Sequence, residues 1–171
     1  LGGGSELALA CQAIVATPAG SMGFPETGIG IYPGLGGMLR LARHVGPELA
    51  KYYVFTGMPI SAENAHALGI VTRLVAPVEI DAALDDLIAQ GKPDKYLRRD
   101  IPARFEALAT LGSPANVSRL LSGIPPEGVD DALAAKTAKI IAYKAPLALK
   151  VANAIIDRQV TTASSQARHS H

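Results

Sequence analysis

Two stretches hold residues whose types and spacing suit acid–base chemistry. Gly2-Gly3-Gly4-Ser5-Glu6 puts a glycine run directly ahead of helix formers and a carboxylate one turn in. Backbone N–H groups at such a helix start lie at the positive end of the helix dipole and suit an anion or a developing oxyanion. A flexible linker ahead of a helix is the alternative for these five residues alone. The second stretch, Phe24 to Gly37, carries Glu26 among apolar and glycine neighbours. Burial there would raise the carboxyl pKa and suit proton transfer near neutral pH. A solvated glutamate on a surface turn is the plainer reading of that stretch alone.

The elements that must position these residues follow from local signals. Helix formers after the glycines predict a helix over Ser5–Cys11, and the apolar run Ala13–Ala16, closed by Thr17-Pro18, predicts a strand. Phe24–Gly37, with two prolines and five glycines, is expected to be loop and turn. Met38–Val45 presents an apolar helical face at 38, 39, 41, 42 and 45, with Arg40, Arg43 and His44 outward. Gly46-Pro47 starts another helix, with Leu49, Ala50, Tyr53 and Val54 inward and Gly57 as its stop. Ser61 is the expected N-cap and Gly69 the expected C′ residue of a helix over 62–68, before a strand at Ile70–Val75. Helical periodicity returns at 80–90, 131–142 and 146–160, around a proline-rich connection over 91–130.

Composition bounds the function classes. The 171 residues suit one ordinary domain, and 49% apolar against 18% charged residues can bury a core. A net charge of +1 leaves no electrostatic footprint for nucleic acid. The single cysteine excludes an internal disulfide and any Cys-based zinc site, and fits a reducing cytoplasm, the expected location. No apolar run approaches the roughly 20 residues of a membrane span. The opening Leu1-Gly2-Gly3-Gly4, without a basic segment, does not read as a signal peptide and is expected to be the middle of a longer protein. Neither G-x-G-x-x-G nor a P-loop occurs: after Gly28-Ile29-Gly30 the third glycine's place is taken by Pro33.

Taken together, the two stretches are more specific. Residues 1–76 resemble the enoyl-CoA hydratase/isomerase (crotonase) superfamily through GGGSELALACQAIVA, FPETGIGIYPGLGG, MLRLARHVG and TGMPISAENAHALGIVTRLV, in the family's order and spacing. The resemblance implies an α/β fold: part of a crotonase ββα-spiral core over 1–76, a proline-rich helical connection over 77–130, and C-terminal helices and tail over 131–171. It implies hydration of a 2-enoyl-CoA thioester, with Gly3 as oxyanion-hole donor, Glu6 and Glu26 as the acid–base pair, and Gly34 near the attacking water. Coenzyme A is then part of the substrate, and neither a cofactor nor a metal is implied. The family's isomerases often lack a glutamate matching Glu6. Its 3-hydroxyisobutyryl-CoA hydrolases share PETGIG but carry an Asp at the Gly34 position, so hydratase is favoured and these remain alternatives.

The family's first oxyanion N–H and most of its CoA-binding loop come from strands ahead of the glycine triplet, so the resemblance implies a fragment. Family members assemble as trimers or hexamers through C-terminal helices, and the apolar helices of 131–160 suit such an interface. An assembly-only piece is therefore the non-enzymatic alternative, and it requires no convergence of Glu6 and Glu26. Among other candidates, His44 and His66 are expected at the surface, His169 and His171 in a frayed tail, and Cys11 buried rather than nucleophilic. Arg98-Arg99 reads as a solvated pair, with a CoA phosphate as the alternative partner. Tyr52-Tyr53 and Tyr143-Lys144 are expected to pack.

Overall fold

A computed structural model describes residues 1–91 and 100–168, with side chains up to 159. Arg98, Arg99, His169 and His171 lie outside the described residues. In chain order the elements are α1 (Gly3–Ala10), β1 (Val15–Ala16), β2 (Ser21–Met22), α2 (Gly37–Val45), α3 (Pro47–Thr56), β3 (Ile60–Ser61), α4 (Ala62–Ala67) and β4 (Arg73–Leu74). Helices α5 (Ile80–Gln90), α6 (Glu106–Leu111), α7 (Pro114–Leu121), α8 (Asp131–Ala142) and α9 (Pro146–Arg168) follow. The fold is α/β, with a small amount of strand and a helical C-terminal region.

The local punctuation acts as its chemistry predicts. Ser61 caps α4, its hydroxyl accepting the Asn64 N–H at 3.2 Å. Pro47 opens α3, Gly57 closes it, and Gly69 follows α4 in the left-handed region. The strands are shorter than the apolar runs suggest, for a reason of donor accounting. The Ile70 and Val71 amides both bond to the Ala65 carbonyl, at 2.8 and 3.1 Å, so the end of α4 takes the donors a strand would need. Pairing starts only at Arg73, parallel to β1 with Val15 opposite Arg73 and Ala16 opposite Leu74. Just before it, the Ile14 amide donates to the Thr72 hydroxyl at 3.1 Å, a side chain standing in for a ladder bond. Strands β2 and β3 pair antiparallel, with Met22 opposite Ile60.

Helix α3 is the centre of the packing. It is buried on every face from Leu49 to Thr56, and it packs against α2, α6, α8 and α9. Leu49 and Val54 of this helix, and Leu41, Phe24 and Ile156 around it, are fully buried. Complete burial of side chains of this size contributes roughly 1.5–3 kcal/mol each. Tyr52 and Tyr53 pack edge to face, with ring centroids 5.2 Å apart, as expected of that pair. The all-round burial of α3 includes Lys51, whose Nζ reaches Asp157 of α9 at 2.6 Å.

Several expectations need correction. Cys11 is exposed, because α1 ends at Ala10 and turns the thiol back along the helix surface, 3.5 Å from the Leu7 carbonyl. His44 is half-buried on α2, whereas His66 is exposed as expected. Tyr143 does not pack: it is exposed at the elbow between α8 and α9. The proline-rich connection folds into α6 and α7, since Pro114 sits at a helix start, where a missing N–H costs nothing, behind the capping Ser113. The final helix passes Val160 and continues to Arg168. Among the described residues, no helix is long and apolar enough to cross a membrane.

Candidate active site

The glycine run becomes the N-terminal turn of α1. Gly2 takes φ 58° and ψ −130°, a conformation that only glycine adopts readily, and a β-carbon there would lie 3.2 Å from Glu26 Oε1. The Gly2 amide donates to the Gly23 carbonyl at 2.8 Å, and the Gly23 amide donates to the Ser5 hydroxyl at 3.0 Å. These two bonds tie the start of α1 to the strand end just ahead of Glu26. Gly3 lies exposed in the first turn, where helix N–H groups have no intrahelical acceptor, and no atom stands within 4 Å of a β-carbon built on it.

Glu6, 4% exposed, is held by backbone donors. Its Oε1 accepts the Leu35 N–H at 2.9 Å and the Gly37 N–H at 2.8 Å. The Pro33–Gly37 turn therefore folds over the Glu6 carboxylate and leaves Oε2 as the oxygen available to another partner. Arg40 braces the turn from outside, donating from Nη1 to the Leu35 carbonyl at 2.7 Å. Gly34 is exposed at the start of this turn; among the described residues it makes no side-chain hydrogen bond to either glutamate.

Glu26, 8% exposed, sits on a single 3-10 turn, Pro25–Ile29. Burial raises its pKa above 4.5; its own backbone N–H acts in the opposite direction, and the negative charge of Glu6 adds to the rise. Its Oε2 is buried with no hydrogen-bond partner among the described residues. The turn is anchored through Thr27, which is fully buried. Its hydroxyl lies within donating distance of the Val54 and Phe55 carbonyls of α3, at 3.1 and 3.3 Å, and its carbonyl accepts the Ala145 N–H at 3.0 Å.

Glu26 thus approaches Gly2 at the start of α1, the helix that carries Glu6, while Gly3 and Gly34 are exposed. Reasoning from sequence missed Leu35, Gly37 and Thr27. The first two act through backbone amides, which no side-chain pattern announces, although a doubled glycine at 36–37 is the kind of signal that marks close approach. An apolar cavity of about 280 Å³ beside α1, walled by Ser5, Ala8, Ala16 and Met22, has neither glutamate in its lining. Among the described residues, no cluster of three or more His, Cys, Asp or Glu side chains could hold a metal ion.

Comparison with known proteins gives the family. The family model described as enoyl-CoA hydratase/isomerase matches residues 1–91, more than half of the chain, and the chain belongs to that family. The crotonyl-CoA hydratase of Syntrophomonas wolfei is 45% identical over 80 residues, 47% of this chain and 31% of that protein. A carnitinyl-CoA dehydratase structure from Mycobacterium thermoresistibile superposes with a TM-score of 0.67 at 26% identity, covering 94% of this chain and 48% of that one. An enoyl-CoA hydratase structure from Rhodobacter sphaeroides superposes with a TM-score of 0.68 at 22% identity, covering 92% and 46%, and supports the fold alone. The fold is a partial crotonase core followed by a helical region. The chain spans 34% of the length of the first curated relative it matches and 11–13% of the next three, and about half of these solved structures.

Proposed function

We propose that this chain carries the acid–base half of an enoyl-CoA hydratase site, adding water across the double bond of a 2-enoyl-CoA thioester. The observation behind this reading is the contrast between two buried carboxyls near one helix start. Glu6 is pinned by two backbone donors, whereas Glu26 is desolvated with an unpartnered oxygen. Glu6 Oε2 takes a proton from the attacking water, whose oxygen bonds to C3. The electron pair of the C2–C3 double bond moves toward the thioester carbonyl, where an N–H of the α1 start, assigned to Gly3, holds the developing oxyanion. Glu26, whose burial favours the protonated form, delivers its proton to C2. Proton exchange with solvent then restores both carboxyls. Gly34, on the turn over Glu6, is assigned a place beside the water.

An isomerase or hydrolase reading makes no use of a buried, doubly bonded Glu6, and an assembly-only reading makes no use of its approach to Glu26. Oligomerisation through α8 and α9, as a trimer or hexamer, is compatible with the hydratase reading. The test is hydration of crotonyl-CoA by the full-length protein carrying Glu6→Gln or Glu26→Gln. Each change is expected to lower turnover by at least the roughly 10²-fold typical of removing a general acid or base. Near-normal turnover in either variant overturns the assignment.

A further inference from the structure

The mechanism leaves one charged side chain beside the Glu26 turn without a role. Lys144 lies at the elbow between α8 and α9, half-buried, one residue before the Ala145 amide that bonds to Thr27. Its ammonium rests over two glycines from distant parts of the chain. A β-carbon on Gly28 would lie 3.4 Å from Lys144 Nζ, and one on Gly57 would lie 3.2 Å from it. Gly28 belongs to the turn that carries Glu26, and Gly57 caps the C-terminus of α3. The same Gly57 β-carbon would stand 3.3 Å from Pro25 Cα and 3.5 Å from the Phe24 carbonyl oxygen, so the turn and the helix end are in direct contact there.

Helix C-termini present outward-facing carbonyls and a partial negative charge, which a cation stabilises. Two such ends meet under Lys144: that of α3, whose last carbonyls receive the Thr27 hydroxyl, and that of the 3-10 turn itself. Glu26 Oε2 has no hydrogen-bond partner among the described residues, and the backbone N–H that acts on its carboxyl belongs to Glu26 itself, so its position depends on the backbone of this turn. We propose that Lys144 is a positioning residue for Glu26: from the α8–α9 elbow, its ammonium clamps the Pro25–Ile29 turn against the C-terminal end of α3. The inference rests on the acid–base role assigned to Glu26 above.

Lys144→Met and Lys144→Arg test it in the full-length protein, through steady-state hydration of crotonyl-CoA and amide hydrogen exchange over residues 25–31. Lys144→Met is expected to lower kcat about 10-fold with KM held within about 2-fold, because small displacements of a reacting group cost rate rather than binding. Exchange at the Gly30 and Ile31 amides, which both bond to the Glu26 carbonyl, should quicken. Lys144→Arg, which keeps the cation, should restore both readouts. A raised KM at unchanged kcat would make Lys144 a substrate contact and overturn the proposal, as would unaltered kcat and exchange. Glu26→Gln serves as the control. Near-normal turnover there removes the functional reading, whereas a slow Glu26→Gln beside an unaltered Lys144→Met removes only the role of Lys144.

Discussion

The Gly37 amide donates to Glu6 Oε1 at 2.8 Å, and the helix start bearing that amide lies so close that a β-carbon on Gly37 would sit 2.6 Å from Glu6 Cγ. The same β-carbon would stand 2.9 Å from the ring of the fully buried Phe24. Glycine at 37 is thus what lets α2 begin against the carboxylate. Gly37→Ala is expected to destabilise the protein by about 1–3 kcal/mol through overpacking. It should also lower kcat/KM by about 10- to 100-fold by shifting Glu6. Thermal unfolding and hydratase kinetics on one preparation check both effects.

Glu26 links stability to pH in a direction opposite to that of a salt-bridged carboxylate. Its folded-state pKa is raised above 4.5, so between that value and the raised one the folded chain holds the proton more tightly than the unfolded chain. The contribution is fully present below the unfolded value and is lost as pH rises through the folded one. Glu26→Gln should therefore flatten the decline in unfolding free energy on the alkaline side of 4.5, as measured by denaturant titration across that range. If Glu26 supplies the proton to C2, the wild-type hydration rate should fall over the same interval.

The Lys51–Asp157 pair is lopsided: the lysine side chain is 3% exposed and the aspartate 53%. Removing the aspartate strands a charge inside the core, whereas removing the lysine leaves a carboxylate that water still reaches. Asp157→Ala is expected to cost about 2 kcal/mol, below the roughly 3–5 kcal/mol of a pair buried on both sides. Lys51→Met should lie within about 1 kcal/mol of wild type, because an apolar side chain suits the site. Equal costs for the two variants in urea unfolding would contradict this account.

Asn116 closes the connection between α7 and α8. Its Nδ2 donates to the Thr110 and Glu127 carbonyls at 2.9 and 2.8 Å, and its Oδ1 accepts the Glu127 N–H at 2.8 Å. At about 1 kcal/mol per bond, Asn116→Ala should cost roughly 2–3 kcal/mol. It should also open residues 122–129 to proteolysis. Asn116→Asp, which cannot donate in its ionised form, should be nearly as damaging. Melting temperatures and a protease time course distinguish this from a simple loss of volume.

Local chemistry was legible in the chain before folding. Ser61, the Gly46-Pro47 pair, Gly57 and Gly69 mark helix ends through backbone preferences that act within a few residues, and the structure places helix ends there. The family could be read from GGGSELA and FPETGIG, because residue types at fixed spacing survive independently of packing. Less legible were features set by distant donors and neighbours. The strand expected over 70–75 shrinks to Arg73–Leu74 because Ala65 captures two of its amides. Glu6 finds its partners 29 and 31 residues onward, in backbone N–H groups that carry no side-chain identity. Cys11 and Tyr143, expected inside, lie outside because burial depends on which face of a helix end meets another element. The setting of Glu26, on a turn held by α3 and the α8–α9 elbow and facing the start of α1, arises only when segments far apart in sequence exclude water together, since desolvation is a property of the assembled surroundings.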